Sequence, residues 1–436
     1  MRVCVVGAGH VGLVTAAVFA DLGNEVVCLD TDEAKIGSLN SGDIPIFEPG
    51  LSEMITRNQK AKRLSFTSSY PKAIPNAETV FLAVDTPTGS NGKSDLSNLR
   101  AAAAELALHL DDGTLVVVKS TVPVGSGSMV RHILQESCPA GRRFEVASCP
   151  EFLREGSAVA DSLRPDRVVI GCSCPDAVAP LVRLYAPLER PLLFMDVNSA
   201  ELVKYAANSF LAMRISFINS IADLCEEMGA DISHVIKGIG ADTRIGGHYL
   251  SPGIGYGGSC FPKDTAALAS SSAEAGSPFT IIEAVMEVNH QRVPRFVERM
   301  RTVLGELNGK TIAVLGLSFK PDTEDVRDSQ AIELVQALLA EESHVRAYDP
   351  AAMAVAQRLL SNVEYCANAY EAAEKADALV IATEWNEFRL LDLQRIAASM
   401  HRPIVFDGRN IYSPSEMADF GFHYVNVGRS LPAVSL

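Results

Sequence analysis

Cys260 ends the densest run of glycines in the chain, within Pro252-Gly253-Ile254-Gly255-Tyr256-Gly257-Gly258-Ser259-Cys260-Phe261-Pro262-Lys263-Asp264. Four glycines in the six residues 253–258 leave a backbone that can wrap closely around a polar ligand, and Pro262 suits the first turn of a helix opening near Cys260. A thiol at a helix N-terminus, beside Lys263 or Lys204, ionises more readily, and the thiolate is a nucleophile. Three polar pairs stand four residues apart: Glu151 with Glu155, Lys204 with Asn208, and Cys260 with Asp264. Wherever such a pair is helical, its two members share one face. Lys204 sits among Val203, Tyr205 and Ala206, so it either snorkels to water or, if buried, has a role to fill.

A second constellation opens the chain. Gly7-Ala8-Gly9-His10-Val11-Gly12 follows an apolar run, and Asp30 stands eighteen positions after Gly12. Glycines at this spacing permit a tight strand-to-helix turn that a pyrophosphate can approach, and an acid at the end of the next strand accepts from the adenosine ribose hydroxyls. A carboxylate there repels a 2′-phosphate, which favours NAD over NADP. Lys35 is either a cation on the adenosine side or a solvated surface lysine. Ligands of open α/β sheets gather at the carboxyl ends of strands. Asp85-Thr86-Pro87, Lys119-Ser120-Thr121-Val122-Pro123 and Cys149-Pro150-Glu151 fall at such ends, where a threonine hydroxyl serves either a ligand or the turn itself.

Positioning these groups requires a particular scaffold. Apolar, β-branched runs at 3–6, 26–29, 80–84, 115–118, 144–147, 168–170 and 192–195 alternate with helical stretches, which predicts a mostly parallel sheet covered on both faces. From Ser199 to Met228 there is no Gly or Pro and the apolar spacing is helical, giving a helix of about 45 Å, long enough to act as a spine between domains or subunits. A second helical stretch over 278–304 is expected beside it. Strand patterns resume at 311–315, 344–348, 378–382 and 403–406, with Asp349 ending the second as Asp30 ends its counterpart. The expected fold class is α/β: two doubly wound, Rossmann-like domains joined by a long central helix. Its parts are 1–198, a dinucleotide-binding domain; 199–305, a helical middle with the cysteine loop; and 306–436.

Composition narrows the partners. Thirty-eight Lys and Arg against 53 Asp and Glu give a net charge of −15, which argues against a general grip on nucleic acid or anionic membrane. The apolar start is interrupted by glycines and lacks a small-residue cleavage pattern, so it is expected to fold rather than serve as a leader. No apolar run is long enough to span a bilayer. The nine cysteines are scattered, which fits reduced thiols in a cytoplasm; Cys172 and Cys174 flank one serine, but no further cysteine or histidine pair completes a metal site.

Over essentially its whole length the chain resembles the UDP-glucose 6-dehydrogenases of the UDP-glucose/GDP-mannose dehydrogenase family. The matching segments are 7–12, Glu48-Pro49-Gly50, 119–125, Pro150-Glu151-Phe152-Leu153-Arg154-Glu155-Gly156, Lys204-Tyr205-Ala206-Ala207-Asn208, Arg244-Ile245-Gly246, 253–264, 316–320 and Asp407-Gly408-Arg409-Asn410. GDP-mannose and UDP-N-acetylmannosamine dehydrogenases share much of this pattern. The Arg244-Ile245-Gly246 and Gly255-Tyr256-Gly257-Gly258 forms look more like the UDP-glucose branch.

The resemblance implies a four-electron oxidation of the sugar C6 alcohol to a carboxylate, with two hydrides passed to two NAD. Cys260 would add to the intermediate aldehyde as a thiohemiacetal, be acylated as a thioester, and be released by water. By the same similarity Lys204 stabilises oxyanion charge with Asn208 beside it, Asp264 handles water and protons, and Glu151 takes part in acid–base work. Glu155 and Thr121 lie toward the nicotinamide, with Gly7, Gly9, Val11, Gly12, Asp30, Lys35, Thr86, Lys263 and Arg327 as the other cofactor candidates. The sugar nucleotide, UDP-glucose in this reading, falls to Glu151, Phe152, Leu153, Lys204, Asn208, Tyr249, Leu250, Ser251, Pro252, Gly253, Gly257, Phe319 and Lys320, the last two in a UDP-sugar-binding domain over 306–436, and Arg244 reaches the substrate of a neighbouring subunit. A homodimer or larger assembly is expected. Three residues depart from the pattern: Asp85 replaces a usual glycine, Cys149 a usual asparagine and His10 a common tyrosine. An acid at Asp85 that points inward would repel at the pyrophosphate crevice.

Overall fold

A computed structural model describes residues 1–89 and 92–431. The chain divides into two compact units, Met1–Ala207 and Asn208–Leu436. Both are α/β with Rossmann-like sheets, and the helix Val197–Met228 links them, as the alternation of strand and helix patterns predicts.

In the first unit eight strands form one sheet: β1 (Arg2–Val6), β2 (Glu25–Leu29), β3 (Leu64–Thr67), β4 (Thr79–Leu82), β5 (Thr114–Val118), β6 (Phe144–Ser148), β7 (Val168–Gly171) and β8 (Leu192–Met195). Their order is β3-β2-β1-β4-β5-β6-β7-β8, parallel throughout except between β6 and β7. Side chains alternate across a strand, so Val3 and Val5 enter one core while Cys4 and Val6 enter the core on the opposite face. That two-sided burial is why these strands read as unbroken apolar runs. The order reverses between β1 and β4, and this switch point is where an open α/β sheet leaves a crevice for a ligand.

The second unit has a six-stranded parallel sheet: β9 (Thr311–Leu315), β10 (His344–Tyr348), β11 (Val363–Tyr365), β12 (Ala378–Ile381), β13 (Ile404–Asp407) and β14 (His423–Asn426), in the order β11-β10-β9-β12-β13-β14. Helices Phe261–Glu274, Thr280–His290 and Arg292–Leu304 precede it.

Two helical expectations need correction. The long helix starts at Val197, because the Asp196 carboxylate accepts from the Ser199 N–H at 2.9 Å and caps it two residues earlier than the pattern suggests. The stretch 278–304 is two helices, broken at Gln291. Pro294 has no N–H to return to His290 and its ring crowds that carbonyl, so one helix cannot run through. Both pieces lie along the long helix, through Ser216 Oγ to the Val285 carbonyl at 2.9 Å and Arg292 Nη1 to Asp223 at 2.6 Å. Among the described residues no helix is long and apolar enough to cross a membrane.

Candidate active site

The glycine turn lies between β1 and the helix His10–Asp21. Gly7 has φ +104°, and a β-carbon there would meet the Ala83 carbonyl oxygen at 2.4 Å; one on Gly12 would meet the Gly7 carbonyl at 1.8 Å. Both positions therefore exclude any side chain. Gly9 caps the helix without a side chain of its own, so no cap side chain accepts from its first N–H groups. Val11, in the first turn, packs on the core.

Asp30 accepts from Ala8 N–H at 2.8 Å, from Asp32 N–H at 3.0 Å and from Lys35 Nζ at 3.0 Å. Burial opposes its ionisation, but these N–H donors and the Lys35 ammonium outweigh it and hold the carboxyl below its ordinary range. Lys35 is thus a partner of Asp30, not a solvated surface lysine. An ionised acceptor beside an open glycine turn at a helix start suits the diol and pyrophosphate of a dinucleotide.

His10 Nε2 lies 2.8 Å from Glu48 Oε2, at a distance but not an angle for a hydrogen bond. Glu48 is buried, and it also accepts from Gly156 N–H at 2.7 Å and Ala158 N–H at 2.8 Å. The Thr86 hydroxyl donates to the Thr121 carbonyl at 2.8 Å, so its proton serves the turn, and Thr121 is half-buried.

Residues 151–156 form a loop, so Glu151 and Glu155 do not share a helical face, although both are buried. Proline at 150 keeps the preceding backbone out of the helical region. Glu151 Oε1 meets Lys204 Nζ at 3.0 Å, with side chains 6% and 3% exposed, and Oε2 accepts from Leu153 N–H at 2.8 Å. Lys204 does not snorkel; it is half of a buried ion pair, and its ammonium also lies 5.5 Å from the Phe152 ring centre.

Within the second unit Cys260 is the N-cap of Phe261–Glu274, with Pro262 in the first turn, as its sequence suggests. The thiol is half-buried and 3.5 Å from Ser259 Oγ. Asp264 lies one turn on and is 1% exposed. Its carboxylate is held from two sides, by Asn208 Nδ2 at 2.6 Å and Lys263 Nζ at 2.5 Å. Asn208 stands one turn after Lys204 on the long helix.

The loop before Cys260 is fastened by side chains from four other segments. Gly253 N–H donates to Asn219 Oδ1 at 2.8 Å and its carbonyl accepts from Arg292 Nε at 3.1 Å; Tyr256 N–H donates to Asn289 Oδ1 at 2.8 Å; Arg409 Nη1 donates to the Gly255 carbonyl at 2.9 Å. A β-carbon on Gly257 would meet the Asp328 carbonyl at 2.1 Å, so only glycine fits there. Tyr249 adopts φ +59°, Leu250, Pro252 and Gly253 are buried, and Ser251 is exposed. Phe319 packs its ring against Gly258, with Lys320 Nζ 5.6 Å from the ring centre. Arg244 and Arg327 turn back onto Asp242 and Asp325 in their own loops and are largely exposed.

One buried acid, Glu201, was not singled out by the sequence. Glu201, one turn before Lys204, is buried and accepts from Gly125 and Gly127 N–H, each at 2.7 Å. Burial pushes its carboxyl up despite those N–H groups. Lys119 Nζ reaches the Cys149 carbonyl and the Tyr185 hydroxyl, both at 3.3 Å, which ties down the residue before Pro150-Glu151. Cys149 itself is buried, its thiol 3.5 Å from Tyr185. A carboxylate within an apolar stretch was the available hint for Glu201.

Known proteins are similar to this chain along nearly its full length. A UDP-glucose 6-dehydrogenase of Rhizobium meliloti is 48% identical, covering 98% of this chain and 100% of the relative, and one of Bacillus subtilis is 45% identical, covering 99% and 94%. The structure of a UDP-glucose dehydrogenase from Pyrobaculum islandicum superposes with a TM-score of 0.92 at 38% identity, covering 98% of both chains. That of a UDP-D-ManNAc dehydrogenase from Pyrococcus horikoshii gives 0.87 at 28% identity, covering 99% and 100%. Residues 1–189 match the NAD binding domain, 198–291 the central domain and 313–414 the UDP binding domain of one family model set. With the glycine turn in the first of these segments and the fastened cysteine loop in the second, the chain belongs to the UDP-glucose/GDP-mannose dehydrogenase family.

Proposed function

We propose that this protein is a UDP-glucose 6-dehydrogenase, oxidising UDP-glucose to UDP-glucuronate with two NAD per sugar. The observation that carries the reading is Cys260 capping a helix whose first turn buries Asp264 between Asn208 and Lys263. NAD, when bound, supplies the hydride acceptor for each oxidation; Gly7, Gly9, Val11, Gly12, Asp30 and Lys35 are the residues that would hold its adenosine diphosphate part.

An aldehyde has no carbinol C–H from which a second hydride can depart. Addition of the Cys260 sulfur to its carbonyl carbon restores one, as a thiohemiacetal, and keeps the intermediate attached. Loss of the second hydride leaves a thioester, which water cleaves to the acid and free thiol. Lys204 stabilises the oxyanions of addition and hydrolysis, and Asn208 orients Asp264, which places water and passes protons. Glu151, bound to Lys204, is the base for hydrolysis. Thr121 and Glu155 serve the nicotinamide side. The loop 249–257, with Phe319 and Lys320, holds the nucleotide sugar. In this reading 1–198 binds cofactor, 199–305 carries the thiol, and 306–436 binds the UDP moiety.

Purified protein supplied with NAD and UDP-glucose should release two NADH per sugar consumed. A firm ratio of one excludes the reading. Comparison of kcat/KM across UDP-glucose, UDP-N-acetyl-hexosamines and GDP-mannose separates it from the sister activities.

The protein acts as a homodimer or higher assembly in the cytoplasm. Phe210, Phe217 and Leu224 recur every seven residues on the long helix and are 56%, 52% and 52% exposed. Such a stripe is an apolar seam that a second copy can cover. Replacing Phe210 and Phe217 with Asp should at least halve the mass measured by light scattering; an unchanged assembly would place the interface elsewhere.

A further inference from the structure

Asp85 stands just beyond β4, on the same side of the switch point as the glycine turn. Its Oδ1 lies 3.5 Å from the place a β-carbon on Gly9 would occupy, and nothing else comes within 4 Å of that place. The side chain is therefore aimed at the open face of the turn. The Asp85 backbone carbonyl accepts from Asn98 Nδ2 at 3.3 Å, while no hydrogen bond or ion pair among the described residues engages its carboxylate. Of the other acids flanking the turn, Asp30 is matched by Lys35 at 3.0 Å, and the buried Glu48 accepts from the Gly156 and Ala158 N–H groups. Asp85 thus adds an unmatched negative charge where the N-terminus of His10–Asp21 attracts a pyrophosphate.

A site built only for tight binding would not place a carboxylate there. The proposed reaction has a step at which loose binding is useful. After the first oxidation the sugar is retained on Cys260, and the spent NADH must leave before a second NAD enters. We infer that Asp85 weakens the hold on the pyrophosphate and so speeds exchange of reduced for oxidised cofactor between the two oxidations. The exchange role rests on the two-oxidation reading; the electrostatic effect does not. NADH has lost the positive charge of the oxidised nicotinamide, so Asp85 opposes it at least as strongly as it opposes NAD. At separations of a few ångströms near a protein surface, like charges change an affinity by roughly tenfold, and salt removes most of that change.

The test is a fluorescence titration with NADH, together with stopped-flow dissociation, on the intact protein and on Asp85→Asn and Asp85→Gly. Asn keeps the shape and removes the charge; Gly removes both. Asp85 is exposed, so both variants should retain the fold, which thermal melting checks. Both should bind NADH roughly tenfold more tightly at low ionic strength, through slower dissociation, with the gain shrinking toward unity at about 0.5 M salt. Equal affinities at low salt overturn the inference. A gain that appears in Asp85→Gly but not in Asp85→Asn also overturns it, since steric relief would then be the cause. No sugar nucleotide is needed, so the outcome is independent of the NADH stoichiometry. A tenfold gain combined with one NADH per sugar would retire the exchange role and the two-oxidation reading together, leaving the charge effect standing.

Discussion

Cys260→Ser is expected to form acid at least about a thousandfold more slowly than the unaltered protein, while binding NADH with the same affinity. Serine is a good helix cap and nearly the same size, so Phe261–Glu274 should keep its start. A hydroxyl at neutral pH is a far weaker nucleophile than a thiolate, and an ester would be a different leaving problem from a thioester. In the proposed reading cofactor binding rests on the turn at Gly7, Gly9 and Gly12 and on Asp30, none of which the substitution touches. Steady-state NADH release and rapid-quench analysis of the sugar product measure the first effect, and a fluorescence titration the second. Turnover within about tenfold of the original would exclude covalent catalysis by Cys260.

Lys204→Met should lose both activity and stability. Glu151 and Lys204 meet at 3.0 Å with almost no solvent contact, so methionine leaves a carboxylate buried with the Leu153 N–H as its only partner among the described residues. Breaking one side of a buried ion pair destabilises by about 3–5 kcal/mol. Loss of the ammonium that would face oxyanion charge in the proposed reaction should lower kcat by roughly a hundred- to a thousandfold. Adding Glu151→Gln removes the stranded charge, so the double variant should recover much of the stability and none of the turnover. Urea unfolding and NADH release separate the two readouts. A double variant as unstable as Lys204→Met would show that the pair is not the source of the loss.

The strands that the apolar pattern missed are Leu64–Thr67, Val363–Tyr365 and His423–Asn426, and all three are sheet edges. An edge strand is covered on fewer sides, so it is short and mixed in polarity, as in Leu64-Ser65-Phe66-Thr67. Central strands such as Thr114–Val118, buried at every residue, announce themselves. The break at Gln291 was legible in Pro294 but outweighed by helical spacing on either side.

The glycine turn at 7–12 and the helix start at Cys260 were legible in sequence alone. Their geometry is set over a dozen residues by glycine, proline and a strand-to-helix transition, and such local rules can be read in order along the chain. Tertiary structure decided which partner each reactive group received. Lys204 finds Glu151, Asn208 finds Asp264 across 56 positions, and Arg409 reaches the Gly255 carbonyl across 154. It also decided that Asp85 faces Gly9 and that Thr86 spends its hydroxyl proton on the Thr121 carbonyl. Spacing can put two residues on one helical face, but a buried charge is satisfied by whatever the packed fold brings beside it, and that depends on the whole chain.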